Sequence, residues 1–367
     1  MGGTWVSHVQ PYTFRELVRY GLDRDLTMTR HEGFKNDYFS LTLNGTVSNF
    51  CLSRQDSPAR ADRCILGKDR KDLSQEEAAE LTARAWDIFV NVDGENGRKI
   101  CPLPYQQLSN IRVNSEEVAK WDSYSSYDRL EEVKDQLSED EIGLLIPILL
   151  IIHGGSPDLK TSAFWDIIQA HALNGYRFEN LDQIWFTYKL RQGQSHLARS
   201  MFDEAVEFGL DYAFSTDVTA LQETSDGLVH ISTRDGRSFH GKTAICTVPL
   251  NILKHLSFEP PLSNLRQEAV DLGHINFMTK IHAVVEGSDM ASWNGTAYPN
   301  ELVCAYGDGV LPSGDAHLVV FGTDERPRFV PEEHPEKVVR AITNFHPMNV
   351  KKIVSSALLA ASKSLLN

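Results

Sequence analysis

The chain has 367 residues, which predicts about two domains. Apolar residues make up 41% and charged residues 23%, a globular composition that excludes a disordered or collagen-like chain. The net charge of −14 argues against a nucleic-acid binder, which needs a basic face to neutralise phosphates, and against docking on anionic membranes. The five cysteines include no C-x-x-C pair, which indicates reduced thiols in an intracellular protein, cytoplasmic or peroxisomal.

The first half of the chain is predicted to be mainly helical. A short helix is expected over Thr13–Tyr20, and Ser74 with Glu77 has the capping-box spacing of a helix that runs to about Val90. Between these helices, Asn44–Asp72 is polar and is predicted to be a loop. Further helices are expected at Tyr127–Gln136, Glu139–Ile152, Ser162–Leu173, Asn180–Lys189 and Gln194–Phe208.

The second half changes from helical to strand periodicity. Asp217–Thr224 and Leu228–Thr233 are predicted to form strands of an antiparallel meander. Its third strand is expected to end in the apolar, buried run Ala244–Val248. Two more strands are expected at Met278–Glu286 and His317–Gly322. The fold class predicted from these elements is mixed α and β.

Several catalytic motifs are incomplete in this sequence. Gly307-Asp308-Gly309 begins a dinucleotide-binding G-x-G-x-x-G, but Pro312 replaces its last glycine. No complete phosphate-binding loop, nucleophile elbow or H-E-x-x-H helix is found, and the thirteen histidines lack ligand spacing. A hydrolase, a kinase and a metalloenzyme are therefore disfavoured, and no metal site is predicted.

Three separated segments carry residues suited to cofactor chemistry. The paired glycines Gly2 and Gly3 would let the backbone approach a planar ring or a phosphate closely, although a plain turn is the favoured explanation of the pair taken alone. The run Ala244–Val248 ends in Pro249. Lys280 lies in a strand whose alternate residues are apolar, where a buried ammonium needs a partner. A salt-bridged lysine explains that pattern too.

The order of these segments resembles the flavin-containing amine oxidases, most closely the fungal monoamine oxidase N type. The resemblance runs nearly continuously from Met1 to about Val350. The motifs that carry it are Gly2-Gly3-Thr4-Trp5-Val6, Asn91-Val92-Asp93-Gly94, Gly193-Gln194-Ser195, Cys246-Thr247-Val248-Pro249-Leu250-Asn251, Thr279-Lys280-Ile281-His282-Ala283 and Phe321-Gly322-Thr323-Asp324.

The resemblance implies FAD as the cofactor and a small-molecule amine and O2 as reaction partners. The amine would be oxidised to an imine, which water hydrolyses to an aldehyde and ammonia, and O2 would be reduced to hydrogen peroxide. Fungal secondary metabolism is the setting that the resemblance suggests. The residues that match the family's cofactor contacts are Gly2, Gly3, Thr4 and Trp5 in the loop against the flavin, Val218 at the adenine end, Thr247 and Pro249 at the strand end beside the cofactor, and Lys280, which holds a water near the reactive N5.

The implied fold has two domains, each built from separated stretches of chain. We expect 1–35 and 191–259 to form a partial, Rossmann-like FAD-binding domain, and 36–190 with 260–350 to form a substrate domain with a mixed sheet and helices. The chain opens directly at the glycine pair, without the family's G-x-G-x-x-G unit, and its tail, 351–367, resembles nothing in the family. These departures predict a shortened chain that holds little flavin by itself.

Two other functions stay open from the sequence. One is a non-catalytic remnant or interaction protein that kept the substrate-domain scaffold. The other is an amino-acid or polyamine oxidase with the same cofactor, for which Arg177, Arg191 and Glu179 are the candidate substrate contacts. The candidate cavity walls, for which core packing is the competing interpretation, are Phe164, Trp165, Trp185, Phe186 and Tyr188.

Overall fold

The computed structural model describes residues 4–29, 38–51, 73–103, 115–273, 277–325, 328–347 and 353–358. The chain divides into two compact units. The first comprises Met1–Arg199 and Asn276–Asn367, and the second comprises Ser200–Ile275. None of the helices in the described ranges is both long enough and apolar enough to cross a membrane.

The helices begin where the sequence offers a capping residue. Ser74 accepts a hydrogen bond from the Glu77 backbone while the Glu77 side chain returns one to Ser74, so two otherwise unpaired N–H groups are satisfied. Ser138 and Glu141 repeat this capping box. The helices are α1 (Pro11–Arg19), α2 (Gln75–Val90), α3 (Ser115–Asp122), α4 (Ser126–Val133), α5 (Glu139–His153), α6 (Phe164–Leu173), α7 (Leu181–Trp185), α8 (Gln194–Glu207), α9 (Leu250–Leu253), α10 (Asn264–Leu272) and α11 (Pro335–Thr343).

The strands fall mainly in the second half of the chain, as predicted, but they also occur before it. They are β1 (Leu26–Met28), β2 (Tyr38–Leu43), β3 (Thr46–Cys51), β4 (Tyr188–Leu190), β5 (Val218–Glu223), β6 (Val229–Thr233), β7 (Ser238–Gly241), β8 (Ser257–Glu259), β9 (Met278–Val285), β10 (Asn294–Tyr298), β11 (Leu302–Val310), β12 (Ala316–Thr323) and β13 (Ile353–Leu358). The mixed α and β fold class is confirmed.

The first unit is organised around a sheet whose described strands lie in the order β13-β9-β12-β11-β10-β2-β3. All neighbours in it are antiparallel except β10 and β2, which are parallel. The prediction of a loop over Asn44–Asp72 is wrong for Thr46–Cys51, which is strand β3. Asn44 and Gly45 both adopt positive φ, the conformation of a two-residue hairpin turn, so this polar pair connects two strands.

One face of this sheet and the helices of the first half each form an apolar core. Ile281, Ala283 and Val320 lie on the sheet's apolar face, where α11 packs through Val338 and Ile342. The second core joins α2, α5 and α6 through the side chains of Trp86, Phe89, Leu145 and Phe164, all fully buried. Because the predicted helices bury these residues together, the helical periodicity of the first half is confirmed.

Two further predicted elements differ from the structure. Of the helix expected over Asn180–Lys189, only α7 forms, and Tyr188–Leu190 instead pairs with β1. In the second unit the strand order is β7-β6-β5-β8, and none of these strands pairs with Ala244–Val248. The expectation of a buried strand there is wrong, since Ile245 is 89% exposed and its backbone lacks a neighbouring strand among the described residues.

Candidate functional site

The N-terminal segment lies against the face of the large sheet opposite its apolar core. The Val6 N–H donates to the Tyr188 carbonyl oxygen at 2.8 Å, which fixes the segment to β4. Trp5 then packs against a small cluster formed by Tyr306, Val319 and Phe321. Strands β11 and β12 therefore supply the floor on which the N-terminal segment rests.

Lys280 is the buried cation of this face. It is 6% exposed, and its Nζ donates a hydrogen bond to Thr4 Oγ1 from a position 276 residues along the chain. The ammonium also lies 5.4 Å from the centre of the Phe321 ring, within the range of a cation–π interaction. Burial lowers the pKa of Lys280 below its ordinary value, because desolvation disfavours the charged amine.

Trp5 is held in one orientation by a hydrogen bond and by three aromatic neighbours. Its Nε1 donates to Thr29 Oγ1 at 2.8 Å. The centre of its ring lies 4.8 Å from that of Phe186, 5.3 Å from Tyr306 and 5.8 Å from Phe321. Aromatic contacts at these separations contribute specific geometry as well as apolar burial. The indole is thus a fixed wall.

A cavity of about 170 Å³ opens beside this indole. Burial raises the pKa of the Tyr306 phenol at its edge, and the neighbouring Thr4 side chain opposes the shift, so Tyr306 stays protonated. None of the described lining residues is charged. They are Trp5, Thr29, Phe39, Ile151, Phe186, Asn294, Gly295, Cys304, Ala305, Tyr306 and Phe321.

A row of polar side chains continues along the same face of the sheet. His282 Nδ1 lies 2.9 Å from His317 Nε2, and His317 Nδ1 lies 3.2 Å from Asp308 Oδ2. The other oxygen of Asp308 pairs with Lys189 Nζ. Burial, together with the nearby charge of Lys280 and the second imidazole, lowers the pKa of His282 to about 4. Both imidazoles are therefore neutral at pH 7, since burial and Lys189 lower the pKa of His317 as well.

The structure brings three of the predicted site residues together: Thr4, Trp5 and Lys280. Gly2 and Gly3 lie outside the described residues. The remaining three belong to the second unit, where Val218 is the first residue of β5 and Thr247 and Pro249 are exposed just before α9.

Among the predicted cavity walls, only Phe186 lines the cavity. Phe164 is fully buried in the helical core, which Trp165 also contacts, so core packing is the better account of these two. Tyr188 is 41% exposed. Arg177 and Glu179 are exposed, and Arg191 pairs with Asp25, so none of the proposed substrate charges lines the cavity.

Sequence reasoning missed Tyr306, His317 and Asp308. A signal was present, because His282 follows Lys280 by two positions and must share its face of a strand. The same alternation places His317 and Phe321 on one face of β12. Pairing the two strands by register would have assembled the row, but register cannot be read from a single sequence.

Comparisons with known proteins identify the family and the fold of the chain. Residues 1–358 match the family of flavin containing amine oxidoreductases. Nicotine dehydrogenase of Pseudomonas putida is 22% identical over 78% of this chain and 50% of its own length. (S)-6-Hydroxynicotine oxidase of Paenarthrobacter nicotinovorans is 26% identical over 43% of this chain and 33% of its own length. The chain thus spans half or less of the length of these relatives.

The fold is that of a solved putrescine oxidase bound to putrescine. The match covers 97% of this chain and 73% of that one, with a TM-score of 0.66 and 16% identity. This likeness confirms the predicted flavin amine oxidase architecture. The closer resemblance to the fungal monoamine oxidase N type stays a prediction. By its family match over residues 1–358, the chain belongs to the flavin containing amine oxidoreductases, whose cofactor is FAD.

Proposed function

We propose that this chain carries the substrate site of an FAD-dependent amine oxidase. The observation that carries the proposal is the buried Lys280–Thr4 pair, whose ammonium lies 5.4 Å from the ring of Phe321, a wall of the aromatic cavity. Burying an amine costs free energy unless the amine has a hydrogen-bonding or charged partner. Titratable groups with perturbed pKa values are typical of functional sites. We further propose that 1–35 and 191–259 belong to the flavin-binding portion, as the sequence predicts.

The described residues fit the ring end of a flavin. Such a ring is planar, with polar atoms on its edge and apolar faces, and it suits an aromatic wall beside hydrogen-bonding groups. Trp5 would supply the wall, and Lys280 with Thr4 would supply polar contacts. We also propose that Val218 contacts the adenine end of the cofactor. Thr247 and Pro249 stay proposed contacts beside the cofactor, in the exposed segment that precedes α9 and not at a strand end.

The protein residues would orient the reactants. FAD, when bound, accepts the hydride equivalent from the carbon next to a neutral amine nitrogen. Lys280 would hold a water that assists either hydrolysis of the imine to an aldehyde or the return of electrons to O2, and we assign it no acid–base role in breaking the C–H bond. The aromatic cavity would exclude bulk water and keep the amine neutral, since desolvation disfavours an ammonium ion.

The cavity favours a small monoamine over the two alternatives. At about 170 Å³ it is smaller than the pockets that enclose drug-sized ligands, which are roughly 300 Å³ or more. A polyamine would need an acidic group for its distant ammonium, and an amino acid would need a cation for its carboxylate. The described lining offers neither. We therefore propose an amine with one small apolar ring or a short alkyl chain.

A reconstitution experiment tests this proposal. The purified chain is titrated with FAD while the flavin absorbance and tryptophan fluorescence are recorded, and simple amines such as benzylamine are then added under air and, separately, without O2 but with an artificial electron acceptor. Because the sequence predicts that the chain holds little flavin by itself, FAD is supplied in excess. With FAD so supplied, we expect amine-dependent bleaching of the flavin colour without O2 and peroxide release under air. Dye reduction without peroxide would identify a dehydrogenase.

Two variants make the experiment specific. Lys280→Met should lower the rate of turnover by about a hundredfold, the usual loss when one aligned polar group is removed from an active site. Exposed Lys160→Met is the matched control and should be indistinguishable from wild type. A chain that folds but neither binds FAD nor bleaches it with amine would favour the non-catalytic alternative.

A further inference from the structure

The hydrogen bonds that join Asp308, His317 and His282 run in one direction. That direction follows from the chemistry of Asp308. Asp308 is ion-paired with Lys189 and can only accept hydrogen bonds. His317 Nδ1, which faces it at 3.2 Å, must therefore carry the proton. In a neutral imidazole the other nitrogen is then an acceptor.

The position of the proton on His317 also determines which nitrogen of His282 is protonated. His317 Nε2 has no proton, so His282 Nδ1, 2.9 Å away, must donate to it. The two rings are nearly parallel, with an angle of 10° between their planes, which keeps both nitrogens in line. His282 Nε2 is left as an acceptor. One carboxylate thereby sets the tautomer of an imidazole on the strand that carries Lys280.

We propose that Asp308, His317 and His282 form an orienting relay for Lys280, in which Asp308 fixes both imidazole tautomers and presents the unprotonated His282 nitrogen on the lysine's side of the sheet. Lys280 and His282 alternate along β9 and share a face. An acceptor there favours a protonated Lys280, or a water oriented to donate to it, whereas a ring N–H would disfavour the ammonium and reverse the orientation of that water. His282, His317 and Asp308 are positioning residues, and the inference rests on the proposed function.

Besides burial, the charges that lower the pKa of His282 come from several elements, and the N-terminal ammonium is one of them. Lys280 lies on its own strand, His317 on β12, Asp308 on β11 and Lys189 on β4. Lys280 disfavours a proton on His282, and Lys189 disfavours one on His317. Neutral rings with fixed tautomers are the state that this arrangement favours.

Nitrogen-15 NMR of histidine-labelled protein tests the relay without requiring turnover. At pH 7 we expect His282 and His317 to be neutral and protonated on Nδ1, the tautomer that free histidine disfavours. In Asp308→Asn the constraint is lost, and we expect both rings to change together to the Nε2-protonated form. Asp226→Asn, the same change in an exposed turn of the second unit, should alter neither ring.

A kinetic measurement separates orientation from mere support of the fold. In FAD-loaded protein, Asp308→Asn should shift the pH at half-maximal kcat by about one unit and leave KM within about twofold. Nε2-protonated rings in the wild type, tautomers unchanged in Asp308→Asn, or an unchanged pH profile would each overturn the relay. Correct tautomers in a chain that oxidises no amine would instead contradict the proposed function and leave the orientation of the rings standing.

Discussion

The two faces of the large sheet are made by the same strands and yet bury different chemistry. On β9, Ile281 and Ala283 are completely buried in an apolar core, whereas Lys280 and His282, their neighbours in sequence, lie on the face that carries Trp5 and the polar row. Because successive side chains of a strand point to opposite faces, one strand can stabilise the fold and carry the site at once. The loss of stability on substitution should therefore alternate from one residue of β9 to the next.

The largest expected effect contrasts two adjacent residues. Ile281→Ala removes a completely buried side chain and should lower the free energy of unfolding by about 2–5 kcal/mol. Lys280→Met should leave it within about 1 kcal/mol or raise it, because the buried amine is replaced by an apolar chain of similar length. Urea unfolding of both variants measures the contrast. Equal losses at the two positions would show that Lys280 is part of the structural core.

The next effect is a pH dependence of stability to which the polar face contributes through His282. The pKa of His282 falls to about 4 in the folded protein because of burial, so the unfolded state takes up its proton first as the pH falls. Stability is then lost between about pH 6.5 and 4, at no more than about 1.4 kcal/mol per pH unit for this group. His282→Gln should flatten the dependence of the urea midpoint on pH.

Ile281→Val on the opposite face is the matched control for that measurement. It should lower stability by about 1 kcal/mol at every pH, leaving the slope unchanged. His171 is also buried with a pKa of about 4, so some slope should survive in both variants. If His282→Gln keeps the full wild-type slope, the polar face is not the pH-sensitive region.

The smallest effect concerns a single hydroxyl group. Tyr306→Phe keeps the ring that contacts Trp5 and removes only the phenol oxygen. The free energy of unfolding should therefore change by no more than about 1 kcal/mol. The measurement is again urea unfolding, with tryptophan fluorescence reporting whether the indole keeps its surroundings. A loss of several kcal/mol would mean that the hydroxyl supports the fold and does not merely line the cavity.

Local sequence signals predicted most of the first-half helices and part of the site. Ser74 with Glu77 located the start of α2, and the apolar alternation around Lys280 located β9. Pairing between distant segments could not be predicted this way. The Asn44-Gly45 turn was assigned to a loop because its two strands were not recognised, and Ala244–Val248 was assigned to a strand although no described neighbour pairs with it. Asp308 joins the site only through the register of β11.

Strand β2 pairs in parallel with β10, which the ribosome synthesises much later. The β2–β3 hairpin therefore exists for some time without this neighbour. Trp293 Nε1 donates to Ser40 Oγ, a partner 253 residues earlier in the chain. At the usual elongation rates of about 5–20 residues per second, the β2–β3 hairpin must wait roughly 10–50 s for that neighbour. Until then, one edge of the hairpin offers unpaired backbone groups to other chains. A slow-folding phase and a need for chaperone protection of the nascent hairpin are the expected consequences.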